Sequence, residues 1–258
     1  IDEGAALGFR RLSIMDLDYG AQPMYNETGD VVITFNGEIY NYRSLREELE
    51  AKGHVFANNA DTECLIHAYE EYGKDMLLKL RGMFAFVIWD QKNEVIFGAR
   101  DYFGIKPFYY TQVGNTLIFA SEIKSILAYP GVKKEVNHQA LESYLSFQYS
   151  VLPETFFSGI YKLMPSHCLT FHQGNLQVER YWEPTFDAQE GQSFSDAVDK
   201  IDAVMQDSVQ KHMISDVEVG SFLSSGVDSS YVAATFHGDK TFTVGFDYEK
   251  YNEIDYAK

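Results

Sequence analysis

The sequence predicts an α+β domain of layered antiparallel sheets with outer helices over residues 1–190, followed by the start of an α/β domain with a parallel sheet over 191–258. Three observations support this division. Hairpins of β-branched and aromatic residues alternate with amphipathic helices in the first two thirds of the chain. A polar stretch over 183–195, which contains Pro184 and Gly191, shows little periodicity and is typical of a linker. A strand, a tight loop, a helix and a second strand then follow in the order of a parallel βαβ unit.

The first elements predicted in the α+β domain are one strand and two helices. Residues 31–35 are mostly β-branched or aromatic and predict a strand. Ser44 and Glu47 have the spacing of a capping box, and Gly53 predicts the end of the helix that they would begin. Asp61 is a suitable N-cap for the second helix, in which apolar residues recur on one face.

Two hairpins complete the predicted first domain. One pairs strands over 84–89 and 94–99, and the other pairs 109–110 with 117–120 around a Gly-Asn turn. The longest apolar run, over 83–89, is far shorter than the roughly 20 residues that a membrane helix requires. The sequence therefore predicts a core strand there, and no membrane-spanning segment.

The second domain is predicted to begin with a long amphipathic helix over 194–213. A strand over 217–223, a loop over 224–226, a helix over 227–236 and a strand over 241–246 follow. One βαβ unit leaves both faces of a parallel sheet uncovered, so this domain is expected to be truncated in the present sequence.

Charge and cysteine content narrow the class of protein. Lys and Arg number 21 against 38 Asp and Glu, which gives a formal net charge of −17. A chain this acidic is repelled by phosphate backbones, so a broad nucleic-acid interface is not expected. The two cysteines, Cys64 and Cys168, lie far apart, and no signal peptide is visible. These features predict a cytoplasmic protein with reduced thiols.

The loop over 224–230 has the sequence Ser-Ser-Gly-Val-Asp-Ser-Ser and lies between a predicted strand and a predicted helix. The backbone N–H groups at such a helix start suit a phosphate group, and Asp228 could hold a Mg²⁺ ion that bridges phosphates. No Lys follows Gly226, so this is not a Walker A loop. A phosphate grip without that Lys fits a site that holds pyrophosphate as a leaving group. The alternative is a serine-rich helix cap without a ligand.

Several blocks of sequence together carry a resemblance to a known family. The loop over 224–230 resembles the pyrophosphate loop of N-type ATP pyrophosphatases, and the upstream blocks resemble a class II glutamine amidotransferase domain. In this order they resemble the glutamine-hydrolysing asparagine synthetase family over essentially the whole chain. The upstream blocks are Arg11-Leu12-Ser13-Ile14, Phe35-Asn36-Gly37-Glu38-Ile39-Tyr40-Asn41, Asp61-Thr62-Glu63, Arg81-Gly82-Met83-Phe84-Ala85-Phe86, Ala99-Arg100-Asp101 and Gly104-Ile105-Lys106-Pro107.

The resemblance implies a glutamine pocket in the first domain. Asn36, at the exit of the predicted strand, would donate its side-chain amide to the oxyanion, and Gly37 would add its backbone N–H. Arg11 would pair with the glutamine α-carboxylate, while Asp61 and Glu38 would pair with the α-ammonium. The glutamine-binding residues implied in this way are Arg11, Ile14, Asn36, Gly37, Glu38 and Asp61.

The resemblance also implies a second reaction, in which ATP and Mg²⁺ activate aspartate as a β-aspartyl-adenylate. Ammonia released from glutamine would attack this adenylate to give asparagine, AMP and pyrophosphate. The substrates implied are glutamine, aspartate and ATP, and a homodimer is one possible assembly. Leu223 and Val244 match the positions that contact adenine in the family. The ATP and pyrophosphate set is Leu223, Ser224, Ser225, Gly226, Val227, Asp228, Ser229, Ser230 and Val244.

Two departures from the family pattern bear on these expectations. The family's glutaminase begins with a nucleophilic Cys followed by Gly, whereas this sequence begins at Ile1, so the nucleophile is expected on a segment missing here. The residues that select the acceptor are likewise expected beyond Lys258. Ser225 occupies the place of the first Gly of the pyrophosphate loop, where a positive φ would strain a serine.

Simpler interpretations of single residues stay open at this point. Asn36-Gly37 is typical of a turn, Asp61 of a helix cap, and Cys64 of a structural cysteine on a helix. Two other functions also remain. One is a related class II amidotransferase with a different carboxylate acceptor, and the other is a glutaminase-like binding domain that lacks its nucleophile.

Overall fold

The computed structural model describes residues 4–10, 20–150, 152–188, 191–245 and 254. The described residues form two compact units, of which the first ends at Pro184 and the second begins at Thr185. The domain boundary that the sequence predicts between 190 and 191 stays a prediction. Arg11 and Ile14 lie outside the described residues.

The first unit contains nine described strands, four α-helices and one 3₁₀ helix. The strands are β1 (Met24–Tyr25), β2 (Val31–Ile39), β3 (Gly82–Asp90), β4 (Val95–Arg100), β5 (Tyr109–Val113), β6 (Thr116–Ala120), β7 (Tyr161–Lys162), β8 (His167–His172) and β9 (Asn175–Arg180). The helices are α1 (Tyr42–Ala51), α2 (Asp61–Tyr72), α3 (Ile123–Ile126) and α4 (His138–Phe147), with the 3₁₀ helix at Gly73–Lys79.

Two antiparallel sheets organise this unit. The larger has the strand order β1-β2-β3-β4-β8-β9, and the smaller has the order β6-β5-β7. Alternate residues of β3 point to opposite faces of the large sheet, and both faces are buried. This explains why the sequence of β3 is a continuous apolar run rather than an alternating one.

The two faces of the large sheet pack against different layers. On one face the core joins the large sheet to β5 and β6. The buried residues of that core are Val32, Ala85, Val87, Trp89, Ile96, Phe108, Tyr110, Leu117, Leu163, Leu169 and Phe171. The other face packs against α2, where the rings of Tyr69 and Phe97 stack with centroids 5.7 Å apart. The expected layered antiparallel sheets with outer helices are confirmed.

Strand β2 is longer than the sequence predicts, because it continues past Phe35 to Ile39. Asn36 and Gly37 therefore lie inside a strand, opposite Ala85 and Phe84 of β3, and the expectation that Asn36 lies at a strand exit is wrong. A Cβ on Gly37 would lie 2.0 Å from the Met83 carbonyl oxygen. Glycine is therefore required by the close approach of two strands, which explains why a turn-forming dipeptide stands in a strand.

The helices α1 and α2 begin differently from the prediction. Helix α1 begins at Tyr42, and the hydroxyl of Ser44 donates to the Asn41 carbonyl, so the predicted capping box is absent. The predicted end of this helix at Gly53 is confirmed, since Gly53 and the next residue donate to carbonyls of the last turn. Asp61 is the first residue of α2 rather than its N-cap.

Two buried charges hold the segment that follows β4. The guanidinium of Arg100 donates to the carbonyl oxygens of Lys106, Leu163 and Gly104 at 2.6–2.7 Å. The carboxylate of Asp101 accepts four backbone N–H bonds, including that of Phe84 at 3.2 Å. Both residues belong to blocks that carry the family resemblance, and both serve the fold here.

The second unit contains helix α5 (Phe194–His212), strand β10 (Ser221–Phe222), helix α6 (Val227–Phe236) and strand β11 (Thr241–Phe242). The two strands pair in parallel, so the predicted βαβ unit is confirmed. Both strands are shorter than predicted. No helix among the described residues has the length and apolarity needed to span a membrane.

The contact between β2 and β3 predicts an asymmetric response to alanine at two glycines. A Cβ at Gly82 would lie 2.2 Å from the Glu38 carbonyl oxygen, whereas a Cβ at Gly8 meets nothing within 4 Å. We expect Gly82→Ala to lower the free energy of unfolding by about 1–3 kcal/mol, as overpacking does. Gly8→Ala is the matched control and should change it by less than about 0.5 kcal/mol. Urea unfolding measures both, and equal stabilities would contradict the close approach.

Candidate active site

The second half of β2 carries three of the six predicted glutamine-pocket residues, Asn36, Gly37 and Glu38. Asn36 and Glu38 are two residues apart on the strand, so their side chains leave the same face of the sheet. Both side chains are half-buried, and Gly37 lies between them. Three of the predicted residues are thus fixed on a rigid element rather than on a loop.

Hydrogen bonds along β2 indicate where the peptide group of Gly37 faces. Phe84 lies opposite Gly37. Its N–H donates to Asp101 Oδ2 at 3.2 Å, and its carbonyl accepts from the Asp101 N–H at 2.8 Å. Because the N–H and C=O of one residue in an antiparallel strand point to the same side, the Gly37–Phe84 pair is of the type without mutual hydrogen bonds. The peptide groups of Gly37 therefore face away from β3.

The neighbours of Gly37 on β2 support this direction. The N–H of Phe35 donates to Gln22 Oε1 at 2.6 Å, and its carbonyl accepts from Gln22 Nε2 at 3.0 Å. The N–H of Ile39 donates to Asp61 Oδ2 at 2.9 Å. Both bonds lie on the side of β2 that faces away from β3. Since β1 pairs only as far as Ile33, the N–H of Gly37 lies at a stretch of edge that β1 does not cover.

Asp61 is brought to this edge by its bond to Ile39. Its side chain is almost fully buried at the start of α2, and the helix dipole there favours a negative charge. One carboxylate oxygen is fixed by the strand residue that follows Glu38. The structure therefore places Asp61 beside the end of β2 that carries Asn36, Gly37 and Glu38.

The Asp61-Thr62-Glu63 block also organises the loop before α2. Glu63 accepts hydrogen bonds from the N–H groups of Ala57 and Asn58, at 2.7 and 2.9 Å. Burial raises the pKa of Glu63, but the nearby His67 and the hydrogen bonds from these N–H groups lower the pKa by more, so the net shift is downward. Glu63 is therefore ionised at neutral pH, and it holds the segment that leads to Asp61.

The carboxylate of Glu38 affects the pKa of Tyr40. Burial, together with the charges of Glu38 and Asp101, raises the pKa of Tyr40 to about 12. Tyr40 is therefore a neutral phenol at pH 7. A site that carries the charges of Glu38 and Asp61 suits a cationic group such as an α-ammonium.

Neither cysteine of the sequence has the properties of a nucleophile. Cys64 and Cys168 are both free and buried. Burial raises the pKa of the Cys64 thiol far above its ordinary value, and it raises that of Cys168 to about 12. A reactive cysteine needs a lowered pKa and access to substrate, so both are structural. This agrees with the structural interpretation of Cys64.

Gln22 is a contributor to this edge that the sequence did not reveal. Its side-chain amide bonds the N–H and the carbonyl of Phe35, as a neighbouring strand would do. A single polar residue upstream of a short strand carries no sequence signal for that role. Only the register of β1 against β2 shows it.

In the second unit, the predicted phosphate loop lies between β10 and α6, as expected. Gly226 is the N-cap of α6 and offers no side chain to cap it, and the first turn carries Asp228. The first N–H groups of any helix lack partners inside the helix. The hydroxyl of Ser229 accepts from Ser224 N–H at 3.1 Å and also donates to the Gly226 carbonyl at 3.1 Å. Two serines therefore shape the loop itself.

The backbone of this loop is strained at Ser225 rather than at Gly226. Ser225 has φ = 61°, in the left-handed region that favours glycine. Gly226 has φ = −73°, and a Cβ there would meet only ordinary contacts at 3.6 and 3.8 Å. The positive φ that would strain a serine at this position is therefore present, and no contact with the described residues requires glycine at 226.

The two predicted adenine-contacting residues lie at the ends of the parallel strands. Leu223 follows β10 directly, and its N–H donates to the Phe242 carbonyl at 2.9 Å. Val244 is exposed and lies after β11, which ends at Phe242, so it is not on the strand as predicted. Thr243 Oγ1 donates to the Leu223 carbonyl at 2.8 Å and joins the two strand ends.

Comparison with known proteins gives two matches to family models. The model of the glutamine amidotransferase domain matches residues 1–182, which include all the glutamine-pocket residues named above. The asparagine synthase model matches residues 200–258, which include the phosphate loop. The two matches follow one another in the order that the sequence blocks predict.

Individual relatives agree with these matches. Glutamine-hydrolysing asparagine synthetase 1 of Bacillus subtilis (strain 168) is 44% identical over 100% of this chain and 41% of its own length. Glutamine-hydrolysing asparagine synthetase 3 of the same organism is 42% identical over 90% of this chain and 38% of its own length. The chain thus spans about two fifths of the length of these relatives.

A solved structure, the glutamine phosphoribosylpyrophosphate amidotransferase of B. subtilis, matches 88% of this chain and 49% of its own with 18% identity. Its TM-score is 0.43.

The positive φ of Ser225 predicts that glycine is tolerated at this position and that valine destabilises the protein. Ser225→Gly removes a left-handed penalty of about 1 kcal/mol, which the greater entropy of unfolded glycine roughly offsets. We expect it to leave stability within about 1 kcal/mol of wild type. Ser225→Val should destabilise by about 1–3 kcal/mol, because a β-branched residue at positive φ is strained.

Thermal unfolding of the purified protein measures both variants. Ser195→Val, on the exposed first turn of α5, is the matched control and should cost less than about 1 kcal/mol. A Ser225→Val variant as stable as Ser225→Gly would contradict the left-handed conformation.

Proposed function

Since this chain belongs to the glutamine amidotransferase family, we propose that its first unit hydrolyses glutamine in a glutamine-dependent asparagine synthetase. The second unit would begin the domain that makes asparagine from aspartate, ATP and the released ammonia. The observation that carries the proposal is the second half of β2, which carries Asn36, Gly37 and Glu38 on one strand and bonds Asp61 through the next residue, Ile39. The domain boundary at 190/191 belongs to this proposal.

The oxyanion is the first need of amide hydrolysis. Asn36 would donate its side-chain N–H. Gly37 would donate its backbone N–H, which faces the stretch of the β2 edge that β1 does not cover. The sheet fixes the backbone of both residues, so the Gly37 N–H would need no rearrangement when charge develops on the substrate oxygen. Removal of one such donor typically lowers kcat by about 10²–10³.

The free amino-acid end of glutamine supplies two charges to recognise. Glu38 and Asp61 would bind the α-ammonium, with Asp61 held in place by Ile39 N–H. By the resemblance, Arg11 would bind the α-carboxylate as a bidentate pair, and Ile14 would complete the pocket. A neutral amide without these two charges would not meet the carboxylates of Glu38 and Asp61 with a cation, so the pocket would favour a free amino acid.

Water and glutamine then give glutamate and ammonia through an acyl-enzyme. By the resemblance, the nucleophile is the thiol of an N-terminal Cys whose own α-amine takes the proton. Neither buried cysteine of this sequence takes that role.

The second reaction would use the loop between β10 and α6. The first N–H groups of α6 and the hydroxyls of Ser225 and Ser230 would hold the pyrophosphate of ATP. Leu223 and Val244 would contact the adenine, at the ends of the two strands. The remaining members of the set, Ser224, Gly226, Val227 and Ser229, form the loop and the first turn of the helix.

Asp228 is the residue proposed to hold Mg²⁺. It is an exposed carboxylate in the first turn of α6, next to the N–H groups proposed for the phosphates. Mg²⁺ is commonly held by one or two carboxylates together with substrate phosphates, and Asp228 fits that donor set. When bound, the ion would neutralise charge on the leaving pyrophosphate.

The acceptor is proposed to be aspartate. Its side-chain carboxylate attacks the α-phosphate of ATP, and pyrophosphate leaves. Ammonia then attacks the acyl carbon of the adenylate, so asparagine and AMP are the products. The names and the identity of the relatives support this acceptor. The free, buried cysteines support a reducing compartment such as the cytoplasm, and a homodimer is the assembly proposed.

The proposed role of Arg11 predicts that its loss affects asparagine formation from glutamine but not from ammonium salts. Arg11→Ala removes the carboxylate partner of glutamine, so glutamine-dependent asparagine formation should fall by at least about 100-fold while synthesis from ammonium salts is kept. Arg10→Ala is the matched control, since Arg10 is an exposed neighbouring arginine. Both activities of full-length protein are measured by asparagine formation. Equal loss from both nitrogen sources would refute the proposed role.

The proposed role of Asp228 predicts loss of synthesis from both nitrogen sources. Asp228→Ala should lower asparagine formation from either nitrogen source by about 100-fold or more, because the metal-binding carboxylate is lost. Glutamine hydrolysis should persist. Asp239→Ala, at an exposed turn, is the matched control. Product analysis of AMP and pyrophosphate completes the test, and unchanged synthesis by Asp228→Ala would remove the residue from the site.

A further inference from the structure

Three electron-rich side-chain atoms converge outside the candidate glutamine pocket. His67 and Glu70 lie on α2, and His54 follows the end of α1. His54 Nδ1 lies 3.2 Å from His67 Nδ1, and His67 Nδ1 lies 3.0 Å from Glu70 Oε2. The third side of the triangle, from His54 Nδ1 to Glu70 Oε2, is 3.8 Å. The proposed hydrolysis of glutamine uses none of these residues.

The size of this triangle matches one face of a zinc coordination sphere. Zinc binds imidazole nitrogen at about 2.0–2.1 Å and carboxylate oxygen at about 2.0–2.2 Å, so neighbouring ligands of a tetrahedron lie about 3.3–3.5 Å apart. The observed edges of 3.0, 3.2 and 3.8 Å lie around that value. Two histidines and one carboxylate are also an established ligand set for zinc.

Two of the three ligands, His54 and Glu70, are oriented by a second hydrogen bond. His54 Nε2 lies 3.4 Å from Glu71 Oε2. Behind His67, Glu63 Oε1 lies 3.8 Å from Nε2, which is beyond hydrogen-bond distance. Asn26 Nδ2 donates to Glu70 Oε1 at 2.7 Å, which leaves Oε2 for the cluster. Carboxylates behind the distal nitrogens of histidines are typical of metal sites, because they fix the tautomer that presents a lone pair to the ion.

The backbone prearranges the site as well. His54 N–H donates to the Leu49 carbonyl at 3.1 Å, in the pattern of a helix end closed by Gly53. His67 is 1% exposed, whereas His54 and Glu70 reach the surface, so an ion has a path of entry. Among the described residues, His67 Nε2 is the buried side-chain polar atom without a hydrogen-bond partner.

We propose that His54, His67 and Glu70 form a zinc-binding site that fastens the end of α1 to α2. Its fourth position is open to water. By joining His54 to α2, the ion would stabilise the segment over 54–60 that leads into α2.

Zinc titration of the full-length protein tests this proposal. Metal-free protein, prepared with a chelator that is then removed, is titrated with Zn²⁺ at pH 8 by calorimetry. We expect one equivalent per chain to bind at this site. Co²⁺ should give the visible absorption of a four-coordinate ion, and Zn²⁺ should raise the melting temperature.

Variants identify the ligands. His54→Gln and Glu70→Gln are chosen because both side chains reach the surface, whereas His67→Gln risks misfolding. Each should weaken Zn²⁺ binding at least tenfold and abolish the cobalt spectrum, and Glu71→Gln should weaken it by about tenfold through the loss of a supporting carboxylate. His172→Gln, an exposed histidine on β8, is the matched control and should bind as wild type does.

The outcomes separate clearly. The site is supported if wild type binds one equivalent of Zn²⁺, if His54→Gln and Glu70→Gln lose this binding, and if His172→Gln keeps it. No stoichiometric binding by wild type, or binding that His172→Gln weakens as much as His54→Gln, overturns it. Because calorimetry and cobalt absorption do not use glutamine, failure of this proposal leaves the proposed glutaminase function untouched.

Discussion

Two hydrogen bonds between Phe84 and Asp101 constrain the candidate glutamine pocket. In these bonds the N–H and the carbonyl of Phe84 point to the β4 side of β3. The N–H and the carbonyl of Gly37, opposite Phe84, therefore have no partner on β3. The Gly37 N–H consequently faces the other edge of β2. Asp101 is itself held by the loop that it organises, so a buried structural carboxylate determines where a backbone donor of the proposed oxyanion hole points.

The glycines of β2 and β3 are the second half of this constraint. Met83 and Glu38 carbonyls approach Gly37 and Gly82 so closely that no Cβ fits at either position. The close approach keeps the strand continuous through Asn36, and a continuous strand places Asn36 and Glu38 on one face. A turn at Asn36-Gly37, as the dipeptide alone suggests, would have separated them. Tight strand packing thus creates the alignment of the site.

The fold class, the hairpins and the βαβ unit were predictable because apolar periodicity and turn residues are local signals. Element limits were less predictable, because they depend on tertiary contacts. Strand β2 extends through a turn-type dipeptide because β3 provides a ladder, and Asp61 leaves the N-cap position because Ile39 offers a buried donor. The part played by Gln22 depends on strand register. The convergence of His54 with α2 depends on how two helices pack, and neither leaves a pattern in sequence.

The two candidate sites share a physical principle although they lie in different units. Each would use backbone N–H groups that regular structure leaves without a partner, at a strand edge that β1 does not cover in the first unit and at a helix start in the second. Such donors are fixed by the fold, so side chains need only add charge and selectivity. In the first unit glycine is required because β3 approaches β2, whereas in the second the left-handed residue is a serine. The strain at Ser225 therefore lies in the loop proposed to hold pyrophosphate, where a bound anion would hold the backbone in the conformation that the loop already adopts.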